Sequence, residues 1–359
     1  MEKLEEMLKE RLEQIQPCDV EAMRAAKEHI GNLTVPPGSL GQLEVLAVQL
    51  AGITGKVKPS FSKREVIIMA ADHGVCEEGV SAFPQEVTPQ MIQNFLTGGA
   101  AVNVLSRQAS ADVVCVDIGV NSDITHPELL VRKIKHGTDN MAKGPAMTRE
   151  EALKSILTGI EVVDAAVQRG SSIFVTGEMG IGNTTASSAV MCAMTGIAPK
   201  DAVGRGTGVD DARLLHKISV VERALAVNAP DAADPISVLA KVGGLELGGL
   251  AGVILGAALN RCPVVIDGFI SSAAALLAKA IHPVAAEYMV VSHVSHEQGH
   301  RLLLQQLGLR PTLHLDMRIG EGTGGVLALH LVDASCRIVK EMATFESAGV
   351  SSEIKEQHV

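Results

Sequence analysis

Six short apolar runs in this chain each end in a glycine-bearing loop with one or two charged residues, and helix-like sequence follows most of them. The runs cover residues 66–70, 113–116, 173–176, 264–266, 288–292 and 313–315. Continuous β-branched runs separated by helices predict parallel strands covered on both faces. The expected architecture is therefore α/β: a doubly wound, mostly parallel, six-stranded Rossmann-like sheet. In such a sheet the loops at the carboxyl ends of the strands converge on a crevice, so the chemistry is expected in those loops. Residues 1–62 lack such runs and read as helices broken at PPGS (36–39), while the sequence from 327 reads as helix and then polar tail. A small helical domain from 1–62 plus 327–359 is expected beside a large α/β catalytic domain from 63–326.

The balance of charge narrows the function. A formal net charge of -10 and few clustered cations argue against a nucleic-acid surface, which must neutralise phosphates. With no Trp, one Tyr and six Phe, stacking platforms for single-stranded nucleic acid are also missing. The six cysteines (18, 76, 115, 192, 262 and 336) form no CxxC pair and signal neither a zinc knuckle nor a disulfide framework. The amphipathic start MEKLEEMLKERLEQIQ has no signal-peptide apolar region, and the apolar stretch 247–259 is too short to span a bilayer. It reads as a buried, close-packed helix rich in Gly and Ala. A cytoplasmic protein acting on small molecules, without a membrane partner, is expected.

Five loops could carry chemistry. GEMGIGNTT (177–185) sets glycines before Asn183 and Thr184 at a helix start, where free N–H groups favour an anion. It lacks the lysine of a Walker loop and the GxGxxG spacing of a dinucleotide site, and glycines serving only a tight turn would read the same way. GRGTG (204–208) offers Arg205, with Lys217 on the helix after it and Asp210 or Asp211 as N-cap; a solvated helix face would explain Lys217 equally well. SHVSHEQGH (292–300) places His296 and His300 four apart, but without a further ligand at recognisable spacing no metal is expected. ADHGV (71–75) puts Asp72 and His73 at the rim, and SAFPQEVTPQ (81–90) supplies Phe83, Pro84 and Gln90, which could wall a flat heterocycle. Finally, Glu321 in RIGEGTG stands between glycines, unshielded by its own loop, as suits a general base; pairing with Arg318 is the structural alternative. Glu178 is a second acid on the same rim, and two carboxylates in one crevice can have separated pKa values.

GEMGIGNTT, GRGTG, DGF (267–269), SHVSHEQGH and LDMRIGEGTG, with PPGSLGQLE (36–44) and ADHGV, together resemble the nicotinate-nucleotide-dimethylbenzimidazole phosphoribosyltransferases, nearly end to end. The resemblance implies transfer of ribose 5-phosphate from nicotinate mononucleotide to 5,6-dimethylbenzimidazole or a related base, giving α-ribazole 5'-phosphate and nicotinate for the lower ligand of cobalamin. The family's catalytic glutamate falls on Glu321; apart from the resemblance, Glu178 or Glu321 could also stabilise positive charge developing on the sugar, so Glu178 is a second catalytic candidate. The loop Gly180, Ile181, Gly182, Asn183 and Thr184 would hold phosphate and ribose together with Gly204, Arg205 and Gly206, and Lys217 would reach an anionic group of the nucleotide. Ala82, Phe83, Pro84 and Gln90 would wall the base pocket with Met179 and Met317, and Ser292 would join the substrate-binding set. Neither a metal nor a redox cofactor is implied. The family is dimeric, so a homodimer is expected, a heterodimer with a paralogous chain being the alternative. Two rival classes are weaker: an NAD-type oxidoreductase should show GxGxxG after its first strand, and a nucleotide sensor would not need a bare acid between glycines.

Overall fold

The computed structural model describes residues 1–351 apart from Thr207 and Val209. Six strands form one parallel sheet: β1 (Arg64–Ala71), β2 (Asp112–Gly119), β3 (Leu130–Val131), β4 (Ile173–Met179), β5 (Val264–Ile266) and β6 (Met289–Val291). Their order is β3-β2-β1-β4-β5-β6, so the winding reverses between β1 and β4. That reversal opens a crevice beyond the carboxyl ends of those two strands. The doubly wound parallel architecture is as the sequence predicts, with two corrections to its membership. The sixth strand is the two-residue β3, which has no long β-branched run to announce it. The run at 313–315 instead forms β8 (Leu313–His314), which pairs with β7 (His293–Val294) in a separate two-stranded ribbon.

Close packing explains the glycine-rich stretch. The helix Leu245–Leu259 is buried along almost its whole length and lies against the helix Arg149–Gln168. A methyl group on Gly159 would sit 2.0 Å from the Gly249 carbonyl, and one on Gly252 would sit 2.0 Å from the Ile156 carbonyl. Glycine on both helices thus lets the two backbones touch, and the Leu245–Leu259 helix packs in turn against β1 and β4. This helix is taken up by the chain's own core and leaves no apolar face for a partner. Among the described residues no helix is long and apolar enough to cross a membrane.

The described residues divide into two compact units, one of 1–16 and 61–329, the other of 17–60 and 330–351. The first helix therefore groups with the sheet rather than with the smaller helical unit. The reason lies in bonds between distant parts of the chain: Arg11 donates to Asp164 at 2.6 Å, Arg149 to Glu5 at 2.7 Å, and the Tyr288 hydroxyl to the Gln16 carbonyl at 2.6 Å. In the smaller unit Ile30, Leu33, Ala47 and Val339 form the core, which Val48 and Met342 flank.

Replacing Gly159 by Ala should lower unfolding stability by about 1–3 kcal/mol, the usual cost of overpacking a tight core. Urea unfolding followed by circular dichroism would read it; an unchanged midpoint would mean that the helices can separate at no cost.

Candidate active site

A cavity of about 470 Å³ opens at the carboxyl edge of the sheet, beside the reversal point. Its acidic floor comes from three separate elements: Glu178 at the end of β4, Asp267 just after β5, and Glu321 in the loop before the helix Thr323–Glu341. Its apolar lining comes from Phe83, Val87 and Met91, and from Phe269, Ile270 and Ile319. Met179, Gly180, Ile181, Asn183, Thr184 and Gly206 line the remaining end, where the helix Asn183–Thr195 points its N-terminus inward.

The acids are held by amides. Glu178 is 5% exposed; it accepts from the Glu321 N–H at 3.2 Å and from the Asn183 side-chain amide. Burial, with Asp267, Glu246 and Glu321 nearby, pushes its pKa up to about 8, against the pull of that Glu321 amide. Asp267 accepts from the amides of Gly322 at 3.1 Å and Gly325 at 2.8 Å. Burial raises its pKa too, opposed by His293 and by these amides. Glu321 has one buried carboxylate oxygen with no hydrogen-bond partner, and burial together with the charge of Asp267 raises its pKa to about 7. Among the described residues it forms no ion pair with Arg318, which lines the cavity independently.

The glycines around Glu321 do more than leave it unshielded. Glu321 adopts φ +66°, in the left-handed region that side chains rarely occupy. A methyl group on Gly320 would lie 1.9 Å from the Glu178 carboxylate, and one on Gly324 would lie 2.1 Å from His293 Nδ1. Both positions must be glycine for the loop to seat against the buried side chains.

At the cationic end, Lys217 is 1% exposed and donates to Thr184 Oγ1 at 2.8 Å and to the Gly204 carbonyl at 3.3 Å. Burial lowers its pKa to about 8, offset in part by Glu297. It sits on the helix Asp211–Asn228, which Asp210 caps through the Arg213 amide at 2.8 Å. Within the glycine loop of β4, the Ile181 amide is taken by Thr88 Oγ1 and the Asn183 amide by the Gly180 carbonyl. Anion binding there accordingly depends on the helix terminus, Thr184 and Lys217 rather than on a full nest of free amides.

Of the residues expected in the site, Glu178, Glu321, Phe83, Met179, the 180–184 loop except Gly182, and Gly206 line the cavity. Gly182 has φ +93° and caps the helix start against Cys76. Lys217 and Gly204 stand behind the lining through Thr184 and Glu297. Arg205 pairs with Asp211 at the surface, and Ala82, Pro84 and Gln90 are exposed outside the cavity. Met317 offers its carbonyl to the His296 amide at 2.8 Å, and Ser292 is fully buried, bonding the Asp267 carbonyl at 3.0 Å. Thr207 of the second glycine cluster lies outside the described residues.

Two histidine expectations change. His296 precedes the helix His300–Leu307, so it shares no helix face with His300, whose nitrogens are occupied by Ser272 Oγ at 2.9 Å and the Ser295 amide at 2.8 Å. Burial drives the pKa of His300 down to about 3. His73 and Asp72 are both buried, under the rim rather than on it. Burial opposes charge on His73, but Glu246 at 2.8 Å and Asp72 outweigh it and its pKa rises.

Sequence reasoning assigned no role to Asp267 or Met91, took Arg318 only as a partner for Glu321, and reached Val87 only within the segment from 82 to 90 expected to wall the base pocket. The apolar pair Val87 and Met91, four apart on the helix Val87–Leu96, carried a signal for a shared face; Asp267, one acid in a short DGF loop, carried none.

A phosphoribosyltransferase family model matches residues 15–350. The chain is 54% identical over 346 residues to the nicotinate-nucleotide–dimethylbenzimidazole phosphoribosyltransferase of Chloroflexus aggregans, covering 96% of this chain and 98% of that protein. It is also 54% identical over 347 residues to the protein of the same name from Desulforudis audaxviator, covering 96% of this chain and 98% of that one. Among solved structures, CobT from Thermus thermophilus superimposes with a TM-score of 0.90 at 46% identity, over 93% of this chain and 100% of that chain.

The raised acids make stability depend on pH. Glu178 and Glu321 titrate near 8 and 7 when folded against an ordinary 4.5, so between these limits the folded state holds more protons and stability falls as pH rises. In thermal unfolding between about pH 5 and 8.5, Glu178→Gln should flatten that fall; a slope equal to that of the wild type would show that Glu178 stays ionised throughout.

Proposed function

The chain belongs to the nicotinate-nucleotide–dimethylbenzimidazole phosphoribosyltransferase family, and from that membership we propose that it moves ribose 5-phosphate from nicotinate mononucleotide to 5,6-dimethylbenzimidazole or a related aromatic base. The products are α-ribazole 5'-phosphate and nicotinate, for assembly of the nucleotide loop of cobalamin. The observation that carries the residue-level reading is the Glu321 carboxylate, which faces the cavity with one buried, unpartnered oxygen and titrates near neutral pH.

The chemistry needs one base. The bond from C1' to the pyridinium nitrogen breaks with its electron pair passing to the ring, so nicotinate departs with a neutral ring nitrogen and requires no acid. A ring nitrogen of the incoming base supplies the pair for the new bond, and its other nitrogen must lose a proton or remain cationic. Glu321 takes that proton, and a pKa near 7 suits the task at neutral pH. Until it takes that proton, the Glu321 carboxylate also sets negative charge near a sugar that becomes oxocarbenium-like in the transition state. The flat base lies among Phe83, Val87, Met91, Phe269 and Ile319. The phosphate lies toward Thr184, the helix terminus and Lys217, whose charge it would restore. The working form is expected to be a cytoplasmic homodimer, which light scattering on a sizing column would test.

Purified protein incubated with nicotinate mononucleotide and a panel of benzimidazoles, adenine and phenols should release nicotinate and form one riboside by chromatography. Nucleotide binding without release would favour a sensor. Glu321→Gln should lower turnover by about 10²–10⁴-fold with nucleotide affinity kept, the usual worth of general-base catalysis; turnover close to wild type would remove Glu321 from the base role.

A further inference from the structure

We propose that Asp267 is a positioning residue for this transfer: by holding the amides of Gly322 and Gly325 it fixes the left-handed turn that aims Glu321 into the cavity. The inference rests on the reading of Glu321 as proton acceptor.

Three observations carry it. The helix Thr323–Glu341 starts directly after Gly-Glu-Gly, a segment with no Ser, Thr, Asp or Asn to cap it, yet its first N–H groups need acceptors. Asp267 supplies them from another element, with Oδ2 on Gly322 and Oδ1 on Gly325, one oxygen for each amide. Asp267 is itself a fixed post: its amide donates to Thr176 Oγ1 on β4 at 3.1 Å, and its carbonyl accepts from Ser292 Oγ at 3.0 Å. The post therefore ties the reacting loop to β4 and to the end of β6. The turn it holds includes Glu321 at φ +66°, a conformation that needs such support.

The groups around Glu321 are few. Glu178 reaches it from β4 and holds its amide, Asp267 comes from the loop after β5, and Arg318 shares its own loop. His293 of β7 lies behind Asp267. The Ser292 hydroxyl proton goes to the Asp267 carbonyl, so His293 Nδ1 is the donor in its 2.9 Å bond to Ser292. Burial lowers the pKa of His293, which keeps the ring neutral and leaves Asp267 as the charge beside Glu321.

Asp267→Asn keeps the shape but sets an NH₂ group against one of the two amides. In steady-state assays it should lower kcat by about 10- to 100-fold while both KM values stay within about threefold. The acid limb of the kcat profile should move to lower pH, because a negative charge beside Glu321 is gone. In a Glu321→Gln background the same change should alter kcat by less than about threefold, since it acts through Glu321. A wild-type kcat with an unmoved profile, a loss lodged in KM, or a full multiplicative loss in the double variant would overturn the proposal. Hydrogen exchange of the wild-type protein reads the clamp without any variant: slow exchange at Gly322 and Gly325 supports it, and exchange as fast as an open loop overturns it even if Asp267→Asn fails to fold. Absence of nicotinate release by the wild type would instead overturn the functional reading, and with it the catalytic part of this proposal.

Discussion

The carboxylates of Glu178, Asp267 and Glu321 share one crevice, and the arrangement of amides around them bears on what each can do. Burying a charge is expensive unless hydrogen bonds answer it. Asp267 has two amides of the helix start, and Glu178 has the Glu321 amide and Asn183. Glu321, last of the three, keeps an oxygen with no partner. Burial still lifts the Glu178 carboxyl further than that of Glu321, to about 8 against about 7, so near neutral pH Glu178 is largely protonated while Glu321 can accept a proton. The same bonds lock the loop in place, so the group with the free oxygen is also the one whose direction is most constrained.

Glycine makes this density of acids possible. Gly320 admits the Glu178 carboxylate, Gly324 admits the ring of His293, and Gly177 lets the Glu321 carbonyl approach β4. Glu178, Asp267 and Glu321 lie at one part of the cavity, while Lys217 stands behind Thr184 near the terminus of the Asn183–Thr195 helix, with Glu297 beside it. Beneath the glycine loop, the buried pair of His73 and Glu246 adds a second layer of support, since His73 Nε2 would lie only 3.4 Å from a methyl group on Gly180.

Much of this was legible in the chain. Long buried strands such as Arg64–Ala71 and Ile173–Met179 announce themselves by continuous apolar sequence, and so does the Gly-rich helix Leu245–Leu259. Two-residue strands do not: Leu130–Val131 pairs by position, and Leu313–His314 leaves the main sheet although its sequence resembles the rest. Glu321 and Glu178 could be found because each sits in a glycine loop. Asp267 could not, because its importance lies in bonds to residues 55 and 58 positions away in the chain. Gln90 failed to reach the cavity for a related reason: helix phase turns Val87 and Met91 inward and leaves Gln90 outside. The division into two units likewise turned on distant bonds, such as Arg11 to Asp164, that local pattern cannot show.

The central claim is a single displacement at C1', with one carboxylate removing a proton and no covalent intermediate on the protein. The anomeric configuration of the product formed from β-nicotinate mononucleotide tests it most directly, through the C1' proton coupling and cross-peaks in the NMR spectrum. The account predicts only the α-riboside, by inversion. A β-riboside would require two successive displacements, with one of the acids acting as a nucleophile, and would contradict it.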